Sequence, residues 1–165
     1  LRELGPLLTN FVVIARSGTA ISTELANMKV HGEVRALDAM GIDPFIYLVI
    51  PRVLGVAAST FCLTVIFLGV TFIGGFLCMW VILLGDIDMG LFFGNIIGAV
   101  TVTDVFSLLA KSILPGMLTG AICCDEALGV GLAVTEVPIA ATRGVMRSIG
   151  ALFVMSLLIS MMAYL

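Results

Sequence analysis

Residues 45–84 read FIYLVIPRVLGVAASTFCLTVIFLGVTFIGGFLCMWVILL, and this stretch decides the class of fold. Its only charged residue is Arg52. A spanning helix needs about 20 apolar residues to cross a hydrocarbon core about 30 Å thick. The stretch is too long for one ordinary span and too short for two spans with a loop. We therefore predict an interfacial lead-in over Phe45–Ile50 and one long, tilted span over Arg52–Leu84.

The composition of the whole chain agrees with a membrane protein. The 165 residues are 61% hydrophobic and 12% charged, with a net charge of −3. Soluble domains average about 45–50% apolar and about 25% charged residues, and a domain of this size cannot hide such an apolar excess. This excludes a soluble enzyme and a disordered chain, and the negative charge excludes a nucleic-acid partner. We predict an all-α, polytopic membrane protein with a single domain over residues 1–165.

Three further apolar stretches bring the expected number of hydrophobic helical segments to about four. They run from Pro6 to about Ala26, from about Phe106 to Cys124, and from about Val145 to Leu165. Arg16 interrupts the first stretch, so a re-entrant segment is an alternative to a span shielded by its neighbours. Lys111 and Pro115 interrupt the second of these stretches.

The basic residues of the connecting segments predict the topology. Lys and Arg occur in Glu24–Asp43 and in Thr135–Ser148, whereas Gly85–Val105 contains three Asp and neither Lys nor Arg. Cytoplasmic loops carry an excess of Lys and Arg. We therefore expect the first two segments inside and the third outside, where its apolar residues predict short helices packed on the outer face.

The segment between the first two spans predicts an amphipathic helix near residues 28–43. Its apolar residues recur at helical spacing, at Val30, Val34, Leu37 and Met40. Gly41 and Asp43-Pro44 are expected to end it. Such a helix either lies among lipid headgroups or couples a soluble motor to the membrane domain. Its flanking charges are mixed in sign, whereas a helix bound to an anionic leaflet is normally basic, and this favours a protein groove.

The sequence predicts no catalytic, cofactor-binding or metal-binding residue. His31 is the only histidine, and no phosphate-binding loop occurs. The run Cys123-Cys124-Asp125-Glu126 has metal-ligand chemistry, but adjacent residues on a helix point about 100° apart. We interpret it as a helix end bearing acids at the water boundary. The four cysteines are interpreted as small hydrophobic residues of the bundle.

Two intramembrane cations and one glycine pair are further candidates. A charge at mid-bilayer costs about 2.5–3.5 kcal/mol on insertion scales, so Arg16 and Lys111 either face a cavity or partner, or snorkel to the interface. Gly116 and Gly120 form a GxxxG pattern that permits close helix contact. We interpret that pattern as packing within one chain, with a dimer face as the alternative.

Several segments resemble the MlaE/YrbE family of permease subunits, which belong to ABC transporters that work with Mce proteins. They are LRELGP (1–6), ARSGTA (15–20), ELANMKV (24–30), ALDAMGIDP (36–44) and YLVIPR (47–52). The likeness resumes in Lys111-Ser112 and Ala141-Thr142-Arg143 and so covers nearly the whole chain. One departure is that the family commonly has an acid, an amide and a second acid where this chain has Gly32, Glu33 and Arg35.

The resemblance implies a multi-pass transport subunit of the cell inner (cytoplasmic) membrane, which is not itself an enzyme. Such permeases form homodimers on two copies of a cytoplasmic ABC ATPase, which holds the ATP and Mg. They move phospholipids or other lipids between the inner membrane and an Mce-domain protein assembly. The family normally has an interfacial helix and a further span before the matching region, so we expect a fragment whose complete protein has a fifth span.

The resemblance and the residue chemistry together give two candidate sites. The lipid cavity is expected at Arg2, Glu3, Arg16 and Lys111. The ATPase-coupling residues are expected to be Val30, Glu33, Val34, Arg35, Leu37 and Met40. An alternative function is a membrane anchor or assembly subunit without transport activity of its own. An ion-coupled carrier is disfavoured, because it would need paired acids in mid-span.

Overall fold

The computed structural model describes residues 4–82, 102–131 and 133–164, together with Gly90, Gly94 and Gly98. These residues form helices and short connections, with no strand among them, which confirms the all-α fold. Four of the helices are long and apolar enough to cross a membrane, as predicted. In chain order the helices are α1 (Leu4–Val30), α2 (Glu33–Ala39), α3 (Phe45–Ile82), α4 (Val102–Leu128) and α5 (Val137–Tyr164).

Helix α1 is continuous and longer than the sequence predicts. A π-helical turn, Ile14–Gly18, joins the α-helical parts Leu4–Val13 and Thr19–Val30. The re-entrant alternative is therefore wrong, and so is the assignment of Glu24–Val30 to a connecting segment. The helix accommodates the basic residue of its last turn because the Lys29 ammonium donates to the carbonyl of Leu128 at the end of α4.

Helix α3 includes the residues predicted as a separate lead-in. Phe45–Val49 form a π-helical turn that runs directly into Ile50–Ile82, so the division at residue 50 is wrong. Pro51 has no N–H and cannot donate to the carbonyl four residues earlier. The π-helical turn lies immediately before Pro51, and the Ile50 N–H donates to the Phe45 carbonyl, five residues earlier. Asp43 Oδ1 accepts a 2.9 Å hydrogen bond from the Phe45 N–H and so starts the helix.

Helix α4 contains the predicted span and extends beyond it at both ends, whereas the predicted start of the last span is wrong. Helix α5 begins at Val137, eight residues before the predicted Val145, after a 3-10 turn over Val134–Glu136. Much of the predicted connecting segment Thr135–Ser148 is therefore helical. Its charge is accommodated because Arg147 forms an ion pair with Glu126 on α4.

The GxxxG pattern of α4 packs against α3 in the same chain, as the sequence favours. A Cβ atom on Gly120 would lie 3.0 Å from the Val53 Cα, and one on Gly116 would collide with the Thr60 hydroxyl. Hydroxyl groups line the contact. Thr60 Oγ1 donates to the Ser112 carbonyl at 3.2 Å, and Thr64 Oγ1 lies 3.2 Å from Ser112 Oγ. Small residues and hydrogen bonds across helices are the usual means of close packing in membranes.

The helix ends that bear most charges meet at one end of the bundle, which we call the charged end. It is marked by Glu24, Lys29, Arg52, Glu126 and Arg147. Arg52 Nη2 lies 3.2 Å from Glu24 Oε1, and two further contacts described above join Lys29 to Leu128 and Arg147 to Glu126. The two segments predicted to be cytoplasmic therefore lie at the same end of the bundle, as expected for segments that two spans separate.

A cluster of buried apolar residues also lies near the charged end. It draws on α1, α3, α4 and α5 and consists of Leu25, Ala26, Leu48, Val49, Cys124, Ala127, Val130, Val137 and Ala140; we call it the core cluster. Cys123 and Cys124 are fully buried, whereas Cys62 and Cys78 are exposed on α3. All four are free thiols on the membrane helices, which agrees with their interpretation as small hydrophobic residues of the bundle, although only the first pair lies in its interior.

Some predictions concern residues that the structure does not describe. Arg2 and Glu3 lie outside the described residues. So does most of Gly85–Val105, including the short helices predicted there, apart from three glycines and the start of α4.

Candidate functional site

Helix α2 is a seven-residue helix between two glycines in the left-handed conformation. Gly32 has φ 80° and Gly41 has φ 77°. Residues with a Cβ atom rarely adopt this conformation, so the two glycines set the bends that separate α2 from α1 and α3. The single amphipathic helix predicted near residues 28–43 is therefore wrong in extent, because Gly32 divides it.

The residues predicted to couple to an ATPase fall into two groups. Val30, Val34 and Leu37 are half-buried and pack against the core cluster of their own chain. The exposed group consists of Glu33 and Arg35, which lie on different sides of α2, and of the C-cap residue Met40, which is 65% exposed; we call the surface that they form the α2 outer face. The apolar stripe thus packs largely against its own chain. A partner would meet the α2 outer face and the exposed edges of the stripe.

A cleft of about 440 Å³ opens at the charged end, between the end of α4 and the start of α5. Its lining is strongly polar, with three acids and two arginines, and consists of Asp125, Glu126, Gly129, Val130, Glu136, Ile139, Ala140, Arg143 and Arg147. Glu136 Oε2 accepts a 2.7 Å hydrogen bond from the Gly131 N–H and so holds the α4–α5 connection. The sequence analysis did not single out this cleft; the closely spaced acids and arginines of residues 125–147 are the signal that was available.

Lys111 lies inside the bundle. Only 5% of the residue is exposed, which favours the interior alternative over snorkelling along a lipid-facing surface. Its carbonyl accepts a 3.2 Å hydrogen bond from Asn10 Nδ2 on α1. The carbonyl is available because Pro115, four residues later, has no N–H to donate to it. Asn10 itself is 1% exposed, and the sequence analysis missed it, although a proline within a span signals that a donor is needed nearby.

Arg16 is exposed on α1, within the π-helical turn. It lines a shallow groove of about 570 Å³ together with Ser17, Thr19, Ala20 and Thr23. The guanidinium has no hydrogen bond or ion pair with any described residue. Of the four residues predicted to border a lipid cavity, two are described, and these two are not brought together: Lys111 is buried between helices, whereas Arg16 faces outward.

No group of three or more His, Cys, Asp or Glu side chains that could hold a metal ion occurs among the residues in the described ranges. Cys123 and Cys124 sit within α4 rather than at its end, and Cys123 Sγ lies 3.6 Å from Ser148 Oγ on α5. Asp125 and Glu126 follow in the last turn of the same helix. The four-residue run is thus divided between a buried interior and the charged cleft.

The chain is similar to known permeases along almost its whole length. The family described as Permease MlaE matches residues 1–162. A probable ABC transporter permease protein of Synechocystis sp. is 30% identical over 163 residues, which cover 99% of this chain and 61% of that protein. One from Rickettsia typhi is 33% identical over 142 residues, or 82% of this chain and 54% of that protein.

A plant protein is also similar. The chloroplastic protein TRIGALACTOSYLDIACYLGLYCEROL 1 of Arabidopsis thaliana is 30% identical over 168 aligned residues, which cover 96% of this chain and 45% of that protein. The chain thus spans between 45% and 61% of the length of these relatives. The family match and the four apolar helices agree, and the chain belongs to the MlaE family of ABC transporter permeases.

Proposed function

We propose that this chain belongs to the membrane domain of a permease that moves phospholipids or other lipids, driven by ATP that a separate subunit hydrolyses. The observation that carries the proposal is α2, a short helix between two left-handed glycines at the charged end of a four-span bundle. A membrane subunit that is driven by a separate ATPase needs such an element to receive motion from it.

The ATPase contact is assigned to the α2 outer face, Glu33, Arg35 and Met40. These side chains are exposed, and they combine both signs of charge with one flexible apolar residue. Val34 and Leu37 support the contact because they fix α2 on the core cluster, as Val30 does for the end of α1. Helix-in-groove contacts depend on a few apolar anchors, and Met40, the C-cap residue that follows α2, is the anchor available to a partner.

Lipid as the substrate is supported by the chemistry of the bundle and by one relative. An exposed Arg16 within a helix long enough to span a membrane is unsuited to a surface of hydrocarbon chains. The name of the Arabidopsis relative contains that of a glycolipid, a trigalactosyl diacylglycerol. We assign Arg16, together with Arg2 and Glu3, to a lateral cavity between two copies of the permease, whereas Lys111, which is 5% exposed, lies within the bundle of one copy. Closure of the motor would squeeze this cavity and expel lipid toward an Mce-domain protein.

Localisation follows from the same proposal. A subunit that exchanges lipid with an Mce-domain assembly and binds a cytoplasmic ATPase lies in the inner membrane as a multi-pass protein. ATP and Mg are assigned to the ATPase.

The proposal is tested on the full-length protein, co-expressed with its ATPase and reconstituted in proteoliposomes with fluorescent phospholipid. Arg35→Glu is expected to reduce both the amount of ATPase that co-purifies and the rate of lipid transfer, whereas Arg35→Lys, the matched control, retains both. Glu3→Lys is expected to reduce transfer while the ATPase stays bound. A fully assembled complex that hydrolyses ATP without transferring lipid would favour the anchor or assembly function instead.

A further inference from the structure

The two helices that carry α2 are joined to each other through one arginine. Arg52 Nη2 on α3 lies 3.2 Å from Glu24 Oε1 and 3.7 Å from the sulfur of Met28, which follows one turn later on α1. Arg52 is also the only charged residue of α3. Every charge-based link from α3 to α1 therefore passes through its guanidinium.

The hydrogen bonding of this guanidinium is incomplete. Nη1 of Arg52 is buried and has no hydrogen-bond partner among the described residues, and only 18% of the side chain is exposed. A buried donor without an acceptor is costly, and arginine–carboxylate pairs often form two parallel bonds. The Glu24 side chain is 67% exposed, so its carboxylate has room to turn inward. The pair thus has a second arrangement, in which both Nη atoms bond the carboxylate.

Arg52 directly follows the place where α3 bends most readily. Phe45–Val49 form a π-helical turn, and Pro51 comes two residues later; helices kink at turns of this kind and at prolines. Leu48 and Val49 in that turn belong to the core cluster, against which α2 packs. A displacement of α2 therefore reaches this turn first, and Arg52 links the far side of the bend to α1.

Helix α1 is in turn fastened to α4 at two levels. Asn10 Nδ2 donates to the Lys111 carbonyl at 3.2 Å, and Ser22 Oγ donates to the Cys123 carbonyl at 3.1 Å. Both pairs are 101 residues apart, so the two helices run parallel and in step. A displacement of α1 at Glu24 is therefore passed on to α4.

We infer that Arg52 is a positioning residue that transmits displacement of α2 to the bundle, by changing between a one-bond and a two-bond contact with Glu24. The second bond draws Glu24 toward the buried Nη1 and so brings α1 and α3 closer together at the charged end, and its loss separates them. The inference rests on the proposed function. It adds the pair of residues through which motion of the motor passes from α2 to α1 and α4.

The test uses the full-length protein with its ATPase in proteoliposomes that contain fluorescent phospholipid. It measures the coupling ratio, the number of lipids transferred per ATP hydrolysed. Arg52→Lys keeps the charge but loses the planar fork of donors. We expect it to lower the coupling ratio about tenfold, the size of one charge-assisted hydrogen bond.

Arg147→Lys is the matched control. Arg147 also pairs with a glutamate at the charged end, but it joins α5 to α4, and neither of these helices carries α2. The same substitution is therefore expected to leave the coupling ratio unchanged. A coupling ratio in Arg52→Lys equal to that of this control would overturn the inference.

Glu24→Gln tests the pair from its exposed side and gives a decisive result even if Arg52→Lys does not fold. We expect a similar fall in the coupling ratio. The double variant is expected to fall no further than either single one, because two residues that act through one contact are not additive. Effects that multiply in the double variant would show that the two residues act separately and would overturn the inference.

Thermal unfolding and the amount of bound ATPase separate transmission from structural support. If Arg52 only holds the fold together, Arg52→Lys lowers the thermal midpoint or the bound ATPase and leaves the coupling ratio unchanged, which would overturn the inference. Normal coupling ratios in every variant, with lipid transferred, would overturn the role of Arg52 alone. If the unsubstituted complex hydrolyses ATP without transferring lipid, the proposed function fails and the inference fails with it.

Discussion

Asn10 Nδ2 lies 3.2 Å from the carbonyl oxygen of Lys111 and replaces the donor that Pro115 cannot supply. The same amide nitrogen also bonds the Pro6 carbonyl at 2.8 Å, so one side chain serves the backbone of two helices. Backbone groups at membrane depth have to be satisfied within the protein. Asn10 thus ties α1 to the one position of α4 where the helical pattern is broken.

Replacing Asn10 with Leu is expected to destabilise the protein. The change leaves the Lys111 carbonyl without its donor, and the loss is expected to be about 1 kcal/mol. Thr71→Val is the control, because the Thr71 hydroxyl donates only to Phe67 in its own helix. Thermal unfolding in detergent measures both. An Asn10→Leu protein as stable as the control would contradict the role assigned to Asn10.

Gly120→Ala is expected to weaken the contact between α3 and α4. The added Cβ atom would lie 3.0 Å from the Val53 Cα, a backbone atom that cannot move aside. Overpacking of this kind costs about 1–3 kcal/mol. Gly55→Ala on α3 is the control, since nothing lies within 4 Å of its Cβ position and Ala is the better helix former by up to about 1 kcal/mol. Opposite shifts in thermal stability are expected, and equal shifts would contradict the close packing.

The topology is tested by labelling from outside. Single cysteines at Asp88 and at Glu33 are introduced into a cysteine-free protein in intact cells. The basic segments predict that Asp88→Cys reacts with a membrane-impermeant maleimide and that Glu33→Cys reacts only after the cells are opened. Labelling of Glu33→Cys in intact cells, with Asp88→Cys protected, would reverse the orientation of the bundle.

Leu37→Asp and Met40→Asp are expected to differ. Leu37 packs against the core cluster, so a charge there lowers stability as well as ATPase binding. Met40 is 65% exposed, so its substitution leaves the thermal midpoint unchanged and weakens only the partner contact. Co-purification of the ATPase and thermal unfolding are measured on both. If Met40→Asp retains the ATPase fully, with normal lipid transfer, the α2 outer face is not the docking site.

Hydropathy predicts the existence of the four spans but places their ends poorly. A run of apolar residues in the sequence ends at the first charged residue. A helix continues past that residue when the charged side chain has a partner at the charged end. Lys29 reaches the Leu128 carbonyl, and Arg147 reaches Glu126. Those partners lie 99 and 21 residues away, so no local pattern reveals them. The helix break at Gly32 has a local cause. A glycine within an otherwise helical pattern was available in the sequence as a signal for it.

For the candidate sites, too, the sequence identifies residues but does not give their surroundings. Chemistry alone singles out Arg16 and Lys111 as charges inside apolar stretches, but their surroundings depend on packing. Lys111 is enclosed because α1 lies beside it, whereas Arg16 points away from the bundle. The amphipathic stripe of residues 30–40 was predicted to seek a partner, yet the core cluster already covers much of it.

The constant offset of 101 residues between α1 and α4 has a consequence for biosynthesis. Chains are synthesised at about 5–20 residues per second, so α1 leaves the ribosome about 5–20 s before the carbonyls of Lys111 and Cys123 exist. During that interval Asn10 has only the Pro6 carbonyl of its own helix, and Ser22 lacks its acceptor on α4. We therefore expect α1, with its polar residues Asn10 and Ser22, to stay within the insertion machinery until α4 is made.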